Sequence, residues 1–461
     1  MGMSFVKQYF SGYKKPGGIG DLLLIAFPMM ISTACDGVMT FTDRLFLARL
    51  GTDQMNAALG GGLTYQMLTF FFIGLTGYST ALVAQYYGAR KFEKSPQAAF
   101  QALLIAVLAW PIIILVRPFV SSLFSVADLP VNQVGFQQQY LAILAYGSLF
   151  GLLRHVMGCY FTGIGKTRIV MTSTMTAMLV NVVLDYVFIF GKFGVPAMGV
   201  KGAALATITG SCVAVVMLGF AYFSSWNRTR YAVMKSFRYN ARLMKKLLHF
   251  GSPAGLEMLL NFIAMFVLTL MLQSQGEAAA TATTIMFNWD LVSFIPLLGI
   301  EIAVTSLVGR YMGAQRPQVA HRAALSAIKT GLLYSAVILV LFVTIPEVLV
   351  RVFHPEVPSE AFEQAIPLAK NMIRIAAIYV LAQACMVAMI GALRGAGDTF
   401  YTMLLSVSAS WTFVPAVYLT LYVFHLNVFW AWLSIVVVYM IFFIFIYRRF
   451  SAGKWKKLNV I

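Results

Sequence analysis

The chain has 461 residues, of which 60% are hydrophobic and only 11% are charged. Soluble domains carry about 25% charged residues, so a water-soluble protein is excluded, because so much apolar surface could not all be buried. The net charge of +18 is distributed between apolar segments instead of forming one basic patch, which argues against a nucleic-acid partner.

Long apolar segments follow one another along the whole chain. A transmembrane helix needs about 20 apolar residues. Such segments occur at approximately 20–50, 57–88, 98–124, 134–162, 169–191, 200–224, 247–275, 281–312, 320–347, 364–393, 400–424 and 428–449. We therefore predict an all-α integral membrane protein with twelve transmembrane helices, here called spans and numbered in chain order.

Basic residues are concentrated in every second loop. The loop after the sixth span is the richest, with Arg228, Arg230, Lys235, Arg238, Arg242, Lys245 and Lys246. The opposite loops hold little beyond Lys192, Lys201 and Arg351. Cytoplasmic loops of membrane proteins carry an excess of Lys and Arg. This distribution predicts that both termini are cytoplasmic.

Sequence landmarks of the first half recur in the second half. Pro28 and Gly51 of the first span reappear 225 residues later as Pro253 and Gly276 of the seventh. The sequence GIGKT from residue 163 is echoed by GAGDT from residue 395, at an offset of 232. We predict two six-helix lobes in the same orientation, residues 1–224 and 247–461, joined by a basic cytoplasmic linker at 225–246.

Four polar residues of the first half are predicted to form one site. An ionisable residue inside a membrane span is costly and is a functional candidate by default. At about 1.5 Å per residue, Asp43 lies roughly 35 Å along the first span and Asp185 roughly 24 Å along the fifth. Asn181 is one turn before Asp185, and Thr207 lies about 10 Å into the antiparallel sixth span. All four positions fall in the outer half of the membrane, so we expect one pocket.

The predicted pocket suits a small cation. Two carboxylates held close together do not both ionise readily, so Asp43 and Asp185 can share a proton. The same carboxylates, with amide and hydroxyl oxygens, also form a hard-oxygen site for Na⁺ at Asp43, Asn181 and Asp185. Both ions stay open at this point. The alternative for Asp43 is an interfacial ion pair with Arg44 or Arg49.

Several other residues within the spans are secondary candidates. Asp36 lies two turns before Asp43 and either extends a proton path or hydrogen-bonds a neighbour. Glu257 of the seventh span is a possible second acidic site. Pro28 permits a kink in the first span, because proline removes a backbone hydrogen bond. The interior residues Arg154, His155, Asp290 and Glu301 carry no assigned role beyond pairing, gating or packing.

The whole pattern resembles the multidrug and toxic compound extrusion (MATE) family, in its DinF-like branch. The matching segments are TDRLFLARLG, NVVLDYVFIFGKFG, GVKGAALATITG and GALRGAGDT. The resemblance implies two lobes around a cavity that opens alternately to each side of a plasma membrane. It also implies export of cationic or amphiphilic compounds driven by H⁺ or Na⁺, and it assigns that coupling to Asp43, Asn181 and Asp185.

Another branch of that family carries acids in its second lobe, at positions that are Asn261 and Gln383 in this chain, both neutral. The resemblance therefore favours coupling in the first lobe. A lipid or lipid-linked oligosaccharide flippase of the same superfamily is the alternative function. No motif of an intramembrane enzyme is present. We expect a monomer that contacts membrane lipids and small-molecule substrates and needs no cofactor beyond its coupling ion.

Overall fold

The computed structural model describes residues 15–122, 124, 131–354 and 360–461, and within these ranges it contains helices and no strand. Twelve helices are long and apolar enough to cross a membrane. They are Ile19–Ala48, Asp53–Gly88, Lys94–Ser122, Asn132–Gly163, Thr167–Phe190, Val200–Tyr222, Ala241–Gln273, Glu277–Gly313, Pro317–Thr344, Glu360–Ala396, Thr399–Val423 and Val428–Lys457. Each coincides with a predicted span to within a few residues, so the fold class and the multi-pass topology are confirmed.

Some spans contain local irregularities. The second consists of the helices Thr52–Gly77 and Ser79–Gly88, which meet at Tyr78. The eleventh is the helix Thr399–Tyr418, which ends in the π-helical turn Leu419–Val423. The twelfth is the helix Val428–Ser451, followed by the 3₁₀ turn Lys454–Lys457. A short helix, Pro346–Arg351, separates the ninth span from the tenth.

The repeated glycines share an unusual backbone conformation. Gly51 and Gly276 follow or precede spans at φ values of +135° and +107°. Gly165 and Gly397, the second glycines of GIGKT and GAGDT, have φ values of +76° and +101°. Residues with a Cβ atom are strained at such angles, whereas glycine is not. The two halves therefore use glycine at corresponding turns for the same reason.

The described residues form two compact units. The first, here called the Asp43 unit, comprises Phe27–Met258, Gly309–Gln315 and Val460–Ile461. The second, the Asp290 unit, comprises the residues up to Ala26, Leu259–Val308 and Arg316–Asn459. The lobe boundary predicted at 225–246 stays a prediction, and that segment lies inside the Asp43 unit.

The basic segment after the sixth span is folded against neighbouring helices. Its short helix, Ser225–Tyr231, is capped by the Ser224 hydroxyl, which accepts a hydrogen bond from the backbone N–H of Asn227 at 3.4 Å. The buried Asn227 side chain accepts from the Tyr160 hydroxyl at 2.8 Å and donates to the Tyr222 carbonyl at 2.7 Å. The segment is therefore an ordered part of its unit.

Each unit has its own apolar core. In the Asp43 unit, Leu47, Tyr140, Ile189 and Val200 pack together with small residues of the second and sixth spans. In the Asp290 unit, the tenth span is the centre, and its alanines face apolar residues of the eighth, ninth and twelfth spans. Small residues allow close approach of helices in a membrane protein. This packing fixes where the polar side chains meet.

Candidate functional site

Asp43 lies at a buried contact between the first, fifth and sixth spans of the Asp43 unit. Its side chain is 5% exposed. The Thr207 hydroxyl donates to Asp43 Oδ2 at 3.0 Å, and the Asn181 amide nitrogen lies 3.5 Å from Oδ1. No ion pair joins Asp43 to Arg44 or Arg49 in the described part of the chain. The interfacial ion pair considered as an alternative is therefore not formed.

Asp185 completes the group that the sequence predicts. It is fully buried, and its carboxyl group interacts directly with that of Asp43. Neither Asp185 oxygen has a hydrogen-bond partner among the described residues, and the same holds for Asn181 Oδ1. Buried polar atoms are nearly always paired in folded proteins. A proton or a small cation bound next to Asp43 would give these three acceptor oxygens the partner that the described residues do not provide.

Helix packing places these side chains. Asn181 and Asp185 are one turn apart on the fifth span and face the same way. The sixth span can approach them because Gly210 has no side chain: a Cβ there would lie 3.0 Å from the Ala177 carbonyl oxygen and 3.3 Å from Asn181 Cβ. The Thr207 hydroxyl is also within 3.1 Å of the Ala203 carbonyl, so its own backbone helps to orient it.

Sequence reasoning missed Tyr140. This buried tyrosine of the fourth span lies next to the carboxyl groups of both Asp43 and Asp185. Tyrosine is common in this sequence, with 21 occurrences, and no landmark or motif singled this one out. The three-dimensional contact was the only signal.

Asp36 does not join this group. Its Oδ1 accepts a hydrogen bond from Arg154 Nη1 at 2.8 Å, and 45% of its side chain is exposed. The neighbouring His155 places its Nε2 3.1 Å from the Ile73 carbonyl oxygen, just before the break in the second span at Tyr78. Arg154 thus pairs with a carboxylate, and His155 contacts a backbone carbonyl oxygen of the second span.

The remaining acids of the spans differ in their partners. Glu257, in the Asp43 unit, is 2% exposed and so lies buried within the seventh span. Glu301 forms an ion pair with Arg394 of the tenth span.

Two further candidates of the sequence analysis are not acids. Asn261 donates to the Ser406 hydroxyl at 2.8 Å. Pro28 is buried within a continuous helix, and a functional kink there stays a prediction.

The donor set limits the ions that this site can hold. No group of three or more His, Cys, Asp or Glu side chains with metal-binding geometry occurs among the described residues. The side chains of Asp43, Asp185, Asn181 and Thr207 offer oxygen atoms only, apart from one amide nitrogen. Oxygen ligands suit hard cations. A proton or a hard monovalent cation is therefore the chemical species that this site fits.

Comparison with protein-family models shows a match to the family described as MatE. The matched residues are 28–187 and 253–419. The two segments begin at the two prolines that mark the repeat, and together they cover more than two thirds of the chain. The comparison does not distinguish branches, so the DinF-like assignment stays a prediction.

Two curated relatives are similar over most of their length. One, from Thermotoga maritima, is named probable multidrug resistance protein NorM and is 26% identical over 470 residues, covering 100% of this chain and 98% of the relative. The other, from Pseudomonas aeruginosa, is named multidrug resistance protein PmpM and is 27% identical over 395 residues, covering 85% of this chain and 81% of the relative.

A solved structure shares the fold. It is a transporter of the MOP superfamily from Pyrococcus furiosus, and it superposes with a TM-score of 0.84 at 21% identity, covering 95% of this chain and 96% of that one. That transporter is described as having a binding pocket of reversed polarity, which suggests a different function. At this identity the likeness concerns the fold alone.

Proposed function

Because this chain belongs to the MatE family of transporters, we propose that it is a secondary antiporter that exports cationic or amphiphilic organic compounds in exchange for H⁺ or Na⁺. Two relatives that carry multidrug resistance names support the substrate class. The observation that carries the coupling is the buried Asp43–Asp185 pair, with three acceptor oxygens that have no partner.

The proposed coupling follows from charge in a low-dielectric site. Two ionised carboxylates side by side repel each other, and burial adds a desolvation cost to both. Binding one H⁺ or one Na⁺ removes most of this cost. The ion is therefore bound tightly when the site is closed to water, and it is released when the site opens and hydration compensates the charges. Asn181 and Thr207 hold the Asp43 carboxylate in place in both forms.

Export requires that the ion and the substrate favour different states. A ligand shifts a conformational equilibrium only by its differential affinity for the two states. In this proposal, ion binding to Asp43 and Asp185 from outside favours repacking of the fifth and sixth spans. Substrate leaves in that form, and loss of the ion to the cytoplasm restores the form that binds substrate from inside.

The proposal places the protein in a plasma membrane, as a monomer with both termini cytoplasmic. The concentration of Arg and Lys in every second loop supports this orientation. A flippase for lipids or lipid-linked oligosaccharides is the competing function in this superfamily. The acidic character of the buried site favours a cationic substrate over an anionic lipid.

The test is efflux of a fluorescent lipophilic cation from proteoliposomes. A pH gradient and a Na⁺ gradient are imposed separately on wild type, Asp43→Asn and Asp185→Asn. A matched control is Asp53→Asn, which removes an acid at the start of the second span. We expect transport under one gradient, its loss in both site variants, and wild-type rates in the control.

Two outcomes would overturn the proposal in different ways. Gradient-driven efflux that survives both Asp43→Asn and Asp185→Asn would remove coupling from this site and direct attention to Glu257. Absence of cation efflux under either gradient, with reconstitution verified by a second assay of orientation and folding, would favour the flippase function.

A further inference from the structure

Asp290 is a carboxylate within the eighth span that the coupling site does not use. It lies roughly 20 Å from the start of the span Glu277–Gly313, near the middle of the membrane. Its Oδ1 accepts a hydrogen bond from the Tyr379 hydroxyl of the tenth span at 2.7 Å. No Lys, Arg or His pairs with Asp290 in the part of the chain that the structure describes. A charged side chain inside a membrane is retained at a cost, so it calls for a functional explanation.

The next turn of the tenth span adds a second acceptor. Gln383 lies beside the same carboxyl group. It is only 7% exposed, and its Oε1 atom is buried with no hydrogen-bond partner among the described residues. A carboxylate without a counter-charge and an amide oxygen without a donor therefore lie together. This excess of acceptors is favourable only when a donor or a cation reaches them.

Two further aromatic rings pack near Tyr379, the tyrosine that contacts Asp290. The Tyr379 ring lies 5.5 Å from that of Tyr439 and 6.5 Å from that of Trp432, both in the twelfth span. The Tyr439 phenol is close enough to Asp290 for the two to interact electrostatically. Aromatic faces attract cations, and cages of such rings bind alkylated ammonium groups. A small hydrated ion gains little from ring faces, so the surroundings favour an organic cation.

The corresponding place in the other half of the chain lacks this arrangement. Asp290 follows Tyr65 by 225 residues, and Gln383 follows Gly151 by 232, which are the two repeat offsets. Tyr65 lies against Gly151, because a Cβ there would be 3.3 Å from the Tyr65 hydroxyl. Both halves therefore have a contact between the two corresponding helices. The acid Asp290 and its polar neighbour Gln383 occur only in the second half. Packing does not require a carboxylate at this contact.

We propose that Asp290, Tyr379 and Gln383, with the rings of Tyr439 and Trp432, form a binding site in the Asp290 unit for the positively charged group of an organic cation. Asp290 supplies the opposing charge, the rings supply cation–π contacts, and Gln383 Oε1 accepts a hydrogen bond from an N–H group of the bound compound. The side chain of Asp290 is partly exposed, which gives a ligand access to it. The inference rests on the proposed function, since the bound compound is taken to be an exported cation.

The test is equilibrium binding of ethidium to purified full-length protein in lipid nanodiscs, measured by fluorescence anisotropy. A neutral lipophilic fluorophore, N-phenylnaphthylamine, is measured in parallel. We expect Asp290→Asn to raise the dissociation constant for ethidium by roughly tenfold and to leave that for the neutral probe unchanged. Tyr379→Leu, which removes a ring, should weaken ethidium binding more than Tyr379→Phe, which retains it. Asn288→Ala, on an exposed position of the same helix, is the matched control.

Four results would overturn the inference. Unchanged ethidium binding by Asp290→Asn, in a protein that still performs gradient-driven efflux, would remove the site while the proposed function stands. Equal losses for ethidium and the neutral probe would assign Asp290 a structural role. Displacement of ethidium from the Asp43→Asn, Asp185→Asn double variant by NaCl but not by KCl would make the site a Na⁺ site. Failure of the wild type to bind ethidium at all would contradict the proposed function as well.

Folding of the variants is checked by their melting temperatures. If Asp290→Asn does not fold, Asp290→Glu and Tyr379→Leu replace it, since the first retains the charge and the second removes the ring together with the hydroxyl group that donates to Asp290. Retained ethidium binding in Asp290→Glu together with weakened binding in Tyr379→Leu would support the site. Wild-type binding in both variants would contradict it.

Discussion

The two units each hold a carboxylate within a span that has no cationic partner among the described residues, and the surroundings of the two carboxylates differ. Asp43 has a second acid, Asp185, beside it, together with an amide and a hydroxyl group, and all but Thr207 are buried. Asp290 stands alone, partly exposed, with a phenol and aromatic rings around it. Paired acids in a dry polar pocket suit a proton or small ion, whereas one acid among rings suits an organic cation.

Three other acids, in or next to the spans, show what a neutralised carboxylate looks like. Asp36 is paired with Arg154, and Glu301 with Arg394. Asp398 receives two hydrogen bonds from Arg449, at 2.8 and 3.0 Å. An ion pair of this kind keeps its charges balanced without any ligand. The comparison therefore separates acids that stabilise the fold from those that remain available to bind something.

The largest expected effect separates the two available acids by activity. The Asp43→Asn, Asp185→Asn double variant should reduce gradient-driven efflux to the rate of protein-free liposomes, because no ion can be bound and released. Asp290→Asn should retain gradient dependence and the maximal rate at saturating substrate, while it raises the apparent KM. Initial efflux rates over a range of substrate concentrations measure both. Loss of gradient dependence in Asp290→Asn would contradict the assignment of ion coupling to Asp43 and Asp185 and of substrate binding to Asp290.

A second prediction concerns the packing that holds the Asp43 site together. Gly210→Val places methyl groups against the Ala177 carbonyl and Asn181, which forces the fifth and sixth spans apart. Overpacking of this kind costs about 1–3 kcal/mol, and it separates Thr207 from Asp43. We expect a lower melting temperature and a weakened ion dependence of efflux. Gly219→Val, on the same helix with open space around it, is the control and should behave as wild type.

A third, smaller effect compares the two tyrosines that contact these acids. Tyr379→Phe removes the hydrogen bond that orients the Asp290 carboxylate and retains the aromatic ring. We expect a several-fold increase in the KM for a cationic substrate and no change in ion dependence. Tyr140→Phe should shift the ion concentration at half-maximal efflux and leave that KM unchanged. If Tyr379→Phe changed the ion dependence and Tyr140→Phe changed the KM, the Asp290 site would couple the ion and the Asp43 site would bind the substrate.

The smallest effect is expected at an acid outside the spans, which serves as a reference for both sites. Lys370 and then Arg351 lower the pKa of Glu347 by hydrogen bonds and charge. Its contribution to stability is present above the usual glutamate pKa of about 4.3 and is lost as the pH falls through the lowered pKa. Glu347→Gln should reduce the melting temperature slightly at neutral pH and not in strong acid. Efflux at neutral pH should be unaffected.

Most of the fold could be predicted from the sequence because the signals were long and local. Each span is a run of about 20 or more apolar residues, and the repeated Pro and Gly residues identified two related halves. Asp43, Asn181, Asp185 and Thr207 could be placed at a similar depth from helix rise and direction, and the family resemblance assigned the first three to one site. Depth in the membrane is a one-dimensional quantity, so sequence position fixes it closely.

Contacts between helix faces could not be predicted in the same way. Nothing in the sequence distinguishes Tyr140 from other tyrosines, or shows that Asp36 meets Arg154 and Asp290 meets Tyr379. Such contacts depend on how each helix is rotated about its axis. That rotation is set by packing among many apolar residues, with small ones such as Gly210 deciding where two helices come close.

The most direct test of the central claim is competition between ion and substrate in the purified protein. Binding of ethidium is measured as a function of pH and of Na⁺ concentration, for wild type and for the Asp43→Asn, Asp185→Asn double variant. The account predicts that the wild type loses affinity as H⁺ or Na⁺ rises, and that the double variant binds ethidium with an affinity independent of Na⁺, and independent of pH wherever Asp290 stays ionised. Persistent competition in the double variant would contradict the claim that Asp43 and Asp185 couple ion binding to export.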